Sequence, residues 1–203
     1  MDAQTKIQLS PFEMDLLNNS GWILTKNLVI KKAHRLLEEV QQTVADLAAN
    51  YEPILPQEVL AISPKISKGE NYLGLPWLIL DFPRFFGKDN TFAIRTMFWW
   101  GRSFSSTLHL SGNYKQRFSD CIAASYADLC NNEFYVCVHS EQWHHHFEKE
   151  NYLPVSDFTA SEFSSMLDKR SFLKISARTP FVQWDNAATL LAENFMKIAG
   201  WLR

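Results

Sequence analysis

The feature of this sequence that most constrains its fold is a stretch of apolar and aromatic residues between Leu75 and Ser111. Apolar and polar side chains alternate there with a period of two, as they do in strands of a sheet whose two faces differ. The alternation predicts three strands, at 77–82, 91–100 and 103–111. Four ionisable residues lie among these apolar and aromatic residues: Asp81, Arg84, Arg95 and His109.

The composition limits the class of protein. The 203 residues are 46% hydrophobic and 21% charged, which is ordinary for a globular chain. We expect a single domain over 1–203, with N-terminal helices over 1–50, an irregular segment over 51–76 and a sheet with helices over 77–203. The net charge of −2 gives no field that would attract nucleic acid or an anionic membrane.

The cysteine count and the N-terminus bear on the compartment. Three cysteines, an odd number, argue against a disulfide framework. The N-terminal residues contain no apolar run typical of a signal peptide, and no window reaches the roughly 20 apolar residues of a membrane helix. We therefore predict a cytoplasmic protein that contacts no membrane, with its oligomeric state open.

Capping signals and apolar periodicity place the helices. Ser10, Pro11 and Glu13 predict a short first helix, and helical spacing from Thr25 onward predicts a long second one. The other predicted elements are helices over 113–130, 140–150, from Thr159 to about 168 and from 185 to the end, and strands over 133–139 and 172–179. Together they predict an α+β fold. Its sheet has about five mainly antiparallel strands, packed by an N-terminal helix pair, a middle helix and a C-terminal helix.

Alternation also sorts the strand residues onto two faces. One is a core face that includes Phe98, Leu108, Val136 and Ile175. The opposite face is polar but also aromatic, and includes Arg95, Met97, Trp99, Thr107 and His109. It is a solvated surface, a surface covered by helices or by residues 50–76, or a surface for a ligand or partner.

The hairpin between the predicted strands 91–100 and 103–111 determines which side chains are neighbours. A two-residue turn would mix the two faces. A three-residue loop at 101–103 keeps them separate and pairs Arg95 with His109. That register predicts that the guanidinium lowers the pKa of His109, unless a carboxylate such as Asp81 intervenes.

Residues 143–150, with the sequence WHHHFEKE, look like a possible metal site. On a helix, however, His144 and His146 would diverge by about 160°, and no recognised zinc spacing is present. We expect a polar helix with its rings facing inward, and neither a bound metal nor a cofactor.

Other candidate chemistry is sparse. Cys137 could share a face with His109 and His139, but no motif of a catalytic thiol surrounds it. Glycine-rich phosphate loops are absent from the sequence, and basic residues near the aromatic strands are too few for a nucleic-acid platform.

Two functional hypotheses remain, and whether the protein is an enzyme is open. The first is a domain that binds a small anionic or aromatic ligand, or a protein partner, on the polar face. The second is an enzyme acting on a small acidic substrate, with His109 as acid or base and Arg95 as anion binder. A structural salt bridge from Asp81 to Arg95 or Arg84 is the non-functional interpretation of the same charges. The predicted binding residues are Arg95, Trp99, Thr107, His109, Asp81 and Arg84.

Overall fold

The computed structural model describes residues 7–203. The chain forms two compact units, one ending at Arg35 and the other comprising Leu36–Arg203. Helix α1 spans Pro11–Asn18 and helix α2 spans Ser20–Ala48. Within the described residues, no helix has the length and apolar character needed to cross a membrane.

The predicted start of α1 is confirmed. The Ser10 hydroxyl accepts a hydrogen bond from the Glu13 N–H, and the Glu13 carboxylate accepts one from the Ser10 N–H at 2.7 Å. This reciprocal pair satisfies two N–H groups that a helix end leaves without partners. The second helix begins at Ser20 rather than near Thr25, since the Asn19 side chain accepts a hydrogen bond from the Trp22 N–H at 3.2 Å.

The second unit contains a seven-stranded sheet and the remaining helices. Helices α3 to α7 span Gln57–Leu60, Gly112–Ala124, Tyr126–Asn131, Ala160–Lys169 and Ala187–Gly200. Strands β1 to β7 span Lys65–Tyr72, Leu75–Phe86, Thr91–Trp99, Ser103–Ser111, Tyr135–Cys137, Tyr152–Pro154 and Phe172–Thr179. The strand order is β1-β2-β3-β4-β7-β5-β6, and neighbouring strands are antiparallel.

The α+β class is therefore as predicted, but the sheet has seven strands rather than about five. The two additional strands are β1 and β6, which form its edges. Residues 51–76, predicted to be irregular, contain β1 as well as the short helix α3. Strand β1 carries Lys65, Lys68 and Glu70 and has a register irregularity after Gly69, so its apolar alternation is weak.

The core face of the sheet is confirmed. Phe98, Leu108, Val136 and Ile175 are all buried. Helices α4 and α7 pack against β4 and β7 on this side. Aromatic pairs extend the packing, as between Phe98 and Phe104, whose ring centroids are 5.5 Å apart.

The predicted hairpin register is wrong by two residues. Trp99 pairs with Ser103, so the three-residue loop is 100–102, and Arg95 pairs with Thr107 rather than with His109. Both registers leave each side chain on the same face, so the hydrophobic pattern cannot distinguish them. Gly101, at the centre of the loop with φ of +67°, supplies the left-handed conformation that this turn requires.

Candidate functional site

The polar face forms as predicted, and it is covered. Arg95, Trp99, Thr107 and His109 are all buried. The cover is the chain between β5 and β6, residues 138–151, which we call the covering segment. Helices or residues 50–76 were expected in this role, and of residues 50–76 Tyr72 and Leu75 pack against Met97 and Trp99 on this face.

Buried Lys174 anchors the middle of the covering segment. Its ammonium donates hydrogen bonds to the carbonyl oxygens of Gln142, at 2.9 Å, and His144, at 2.5 Å. Lys174 lies on β7 with 1% of its surface exposed. A charge this deeply buried needs such partners, because desolvation opposes its ionisation. Burial is also the main cause that lowers the pKa of Lys174 to about 8.

Tyr72 and Arg170 hold other parts of the covering segment. The Tyr72 hydroxyl accepts hydrogen bonds from the N–H groups of His145, at 2.6 Å, and His146, at 3.2 Å. The Arg170 guanidinium donates to the carbonyl oxygen of His139 at 2.7 Å, and to that of Val138. These side chains thus satisfy polar backbone groups of the covering segment.

The predicted helix over 140–150 is therefore wrong. The segment forms bends and turns, because carbonyls and N–H groups that a helix would pair internally bond instead to Lys174 and Tyr72. Side chains of the sheet thus outcompete a local helix signal. Asn151 closes the segment, donating from its side chain to the His146 carbonyl at 2.5 Å.

Asp81 and Arg95 form a buried ion pair. Arg95 Nε lies 2.7 Å from Asp81 Oδ1 and Nη2 lies 3.0 Å from Oδ2. The remaining terminal nitrogen, Nη1, lies 3.2 Å from His145 Nε2. Asp81 thus occupies the Nε–Nη2 edge of the guanidinium, with which Arg binds a carboxylate through two bonds. This is the structural salt bridge that sequence analysis set beside the binding hypothesis.

The environment of His109 keeps its imidazole neutral. Its Nε2 lies 2.9 Å from Gln142 Oε1, and the Trp143 ring packs edge-on with centroids 5.1 Å apart. Burial, and next the positive charge of Lys174, lower the pKa of His109 to about 3. Arg95 contributes in the same direction, as the sequence predicted, although it is a smaller cause than burial.

The other predicted binding residues have structural partners. The Trp99 indole N–H donates to the Tyr72 carbonyl at 3.2 Å. Thr107 shares a hydrogen bond of 2.7 Å with Ser176. Arg84 does not join the others, because its Nε donates to the Ser63 carbonyl at 3.0 Å. The structure thus brings Asp81, Arg95, Trp99, Thr107 and His109 together.

The histidines of the covering segment lie closer together than a helix would allow. The ring centroids of His139 and His144 are 4.4 Å apart, and those of His144 and His146 are 5.3 Å apart. Among residues 7–203, however, no group of three His, Cys, Asp or Glu side chains is arranged to hold a metal ion. His146 Nε2 lies 3.4 Å from Glu150 Oε1, so this ring already has an acidic neighbour.

Cys137 lies under the covering segment and is buried. Its thiol lies 3.5 Å from Asn151 Oδ1, and burial is the main cause that raises its pKa. The contacts of the thiol are thus the Asn151 side chain and the His139 carbonyl oxygen, which lies 3.9 Å away.

An open cleft of about 870 Å³ adjoins one end of the covering segment. We call it the α6 cleft, because Ser161, Ser165 and Lys169 of α6 line one side of it. Arg170 and Phe172 line it as well. Arg170 also donates to the His139 carbonyl, and the Phe172 ring lies near that of His109. The Phe172 and His109 ring centroids are 6.1 Å apart.

The α6 cleft combines cationic, hydroxyl and apolar groups. Lys169 and Arg170 supply positive charge, and serines 140, 161, 165 and 171 supply hydroxyl groups. Phe158 and Met166 add apolar surface. One acidic residue, Glu162, also lines the cleft, and its carboxylate accepts hydrogen bonds from the Thr159 N–H and hydroxyl at 2.8 and 2.7 Å.

The sequence alone does not indicate the groups that organise this site. Lys174 lies between the core residues Leu173 and Ile175 in a strand, so alternation places it on the polar face, but nothing in the pattern indicates that this face is covered. Tyr72 gave no signal, because β1 was not predicted. Arg170 follows α6 directly, and only the fold shows that it reaches the carbonyls of Val138 and His139.

Comparison of the chain with protein-family models, with curated proteins and with solved structures finds no match.

Proposed function

We propose that this chain is a binding domain for a small ligand that combines an anionic group with an aromatic or apolar portion, and that the α6 cleft receives it. The observation that carries the proposal is the pairing of Lys169 and Arg170 with serine hydroxyls around the rings of Phe158 and Phe172. Ligand sites typically have a volume of about 300–1,000 Å³ and place a few polar groups in an apolar lining. The α6 cleft has a volume in this range, and its lining is mixed, with Val138, Phe158, Met166 and Phe172 as its apolar side chains.

Arg170 can bind an anion without giving up its structural bonds. A guanidinium has five N–H donors, and the carbonyls of Val138 and His139 each receive a bond from Arg170. The remaining donors can pair with a carboxylate or phosphate oxygen. Lys169, exposed at the end of α6, adds a second positive charge near the same position.

The polar face itself gives weaker support for binding. A ligand there would have to displace the covering segment and break its bonds to Lys174, Tyr72 and Arg170. It would also compete with Asp81 for the Arg95 guanidinium. The binding function expected from the sequence is therefore better supported in the neighbouring cleft than on the face itself.

The enzymatic alternative also has weaker support. A general base works best when its pKa lies near the operating pH, whereas the pKa of His109 is lowered to about 3. His109 has 2% of its surface exposed, and Gln142 occupies its Nε2. Arg95, the expected anion binder, is paired with Asp81.

Titration with naphthalene sulfonate, an aromatic anion, tests the proposal by amide chemical shifts in NMR. We expect saturable shifts confined to residues 138–140 and 158–172. Ser165→Trp should fill the cleft and abolish them, and Lys169→Glu should weaken binding about tenfold, as the loss of one charged contact would. Lys197→Glu, in a separate cleft between α7 and the end of β7, is the matched control and should bind as the wild type does.

Either of two results would refute this assignment. One is an absence of saturable shifts in the wild-type chain. The other is a set of shifts that survives Ser165→Trp in a protein whose circular dichroism is unchanged.

A further inference from the structure

The first unit exposes an unusual amount of apolar surface. Ten large apolar side chains between Ile7 and Leu28 are between 36% and 86% exposed. Half of the residues of α1 are large and apolar (Phe12, Met14, Leu16 and Leu17), yet none of its eight residues is buried. A helix of this composition ordinarily buries such side chains against another element.

The exposed area is large enough for a stable interface. Aromatic side chains carry roughly 150–250 Å² each; taking the lower value for all ten side chains, about half exposed, gives roughly 750 Å². The largest apolar patch on a typical monomer is about 300–600 Å². A standard interface takes about 800 Å² from each partner.

The charges around this surface separate by sign. Glu13 and Asp15 lie on α1, whereas Lys31, Lys32 and Arg35 lie on the following part of α2, and all five are exposed. In a two-fold interface each contact occurs twice with the roles of the copies exchanged. The acidic α1 of one copy can therefore meet the basic part of α2 in the other, and the reverse.

Helical spacing places apolar and basic residues on one face of α2. Leu24, Leu28, Lys31 and Arg35 follow one another at intervals of four, three and four residues, which keeps them on one side of a helix. Leu24 and Leu28 are 59% and 58% exposed. This face thus offers an apolar contact flanked by positive charge, as an acidic and apolar helix such as α1 would require.

We infer that the first unit is a self-association surface, on which the occupant is a second copy of this chain in a two-fold arrangement. A lipid surface fits less well. Helices that bind membrane interfaces carry mainly Lys and Arg on their polar face, whereas on α1 the carboxylates of Glu13 and Asp15 alternate with Phe12, Met14 and Leu16. A second copy brings positive charges of α2 next to these carboxylates.

Sedimentation equilibrium of the full chain tests the inference. The wild type should be a dimer at micromolar concentration. Leu24→Glu combined with Leu28→Glu should raise the dimer Kd about a hundredfold or more, since two buried leucines are lost. Val182→Glu, at an apolar side chain of the second unit that is 91% exposed, is the matched control and should leave the dimer Kd unchanged.

Charge reversal tests the two-fold arrangement. Asp15→Lys should weaken the dimer, and adding Lys31→Glu and Lys32→Glu should restore it. A wild-type chain that is monomeric overturns the inference. If the monomeric chain also cosediments with phosphatidylcholine–phosphatidylglycerol vesicles, the apolar surface of the first unit binds lipid instead. A dimer that keeps its Kd in the Leu24→Glu/Leu28→Glu variant, with unchanged circular dichroism, overturns it too, as does one that Asp15→Lys leaves unaffected.

Discussion

Replacing His109 by Gln should flatten the dependence of stability on pH in mildly acidic solution. The pKa of this imidazole is lowered to about 3 in the folded protein, against about 6.5 in an unfolded chain. Below pH 6.5 the unfolded state therefore takes up a proton that the folded state does not. Stability that is fully present above about pH 6.5 is lost as the pH falls towards 3.

The size of this loss follows from the two pKa values. Each unit of pH within the window removes about 1.4 kcal/mol from the free energy of unfolding. Lowering the pH from about 7.5 to about 5 therefore removes about 2 kcal/mol of free energy of unfolding through His109 alone. His145, whose pKa is also lowered, mainly by burial, adds to the wild-type dependence in the same direction and remains in the variant.

Urea unfolding followed by tryptophan fluorescence, repeated at several pH values, measures this difference. His109→Gln keeps a side-chain amide that can donate to Gln142 but does not titrate, so the change with pH, rather than the absolute stability, is the readout. Val182→Gln, at an exposed apolar side chain, introduces an amide without removing a titrating group; it is the control and should keep the wild-type pH dependence. Equal pH dependence in His109→Gln and the wild type, or an NMR titration of His109 near pH 6.5, would refute the reasoning.

Two further predictions concern buried groups of the polar face. Arg95→Ala should lower the free energy of unfolding in urea by about 3–5 kcal/mol, because it leaves the Asp81 carboxylate buried without its partner. Asp81→Leu combined with Arg95→Met should recover most of that stability. An Arg95→Ala variant as stable as the wild type would contradict the prediction. In the native protein, a thiol reagent should label Cys121 and Cys130, which are partly exposed, and leave Cys137 unlabelled until the chain is unfolded; labelling of all three at one rate would show that the covering segment opens readily.

The sequence predicted which face each strand residue occupies but not the exact neighbours. Arg95 and His109 were placed on the same face, as the structure has them, because parity follows from the hydrophobic pattern. A shift of two residues preserves that pattern, so only the turn at Gly101 decides that Thr107 pairs with Arg95. Local patterns therefore predict faces well and registers poorly.

The covering segment shows why the rest could not be predicted. Ser140 resembles a helix cap, and the residues that follow it up to Glu150 include no Gly or Pro, so local signals favour a helix. The competing bonds come from Lys174 and Tyr72, which lie far away in the sequence. Contacts of this kind form only once the sheet is assembled, so the short-range periodicity of the sequence cannot predict them.

The two edge strands of the sheet also limit how this chain can associate. An open edge presents unpaired backbone groups to which a strand of another molecule can add. Here β1 carries Lys65 and Lys68 and an irregularity after Gly69, while β6 has three residues and ends at Pro154, which has no N–H to donate. Lysine, proline and very short strands are the devices with which natural sheets resist edge-to-edge aggregation. Lengthening the sheet with a foreign strand is therefore disfavoured at both ends, and a partner must be recognised through side chains rather than through backbone pairing.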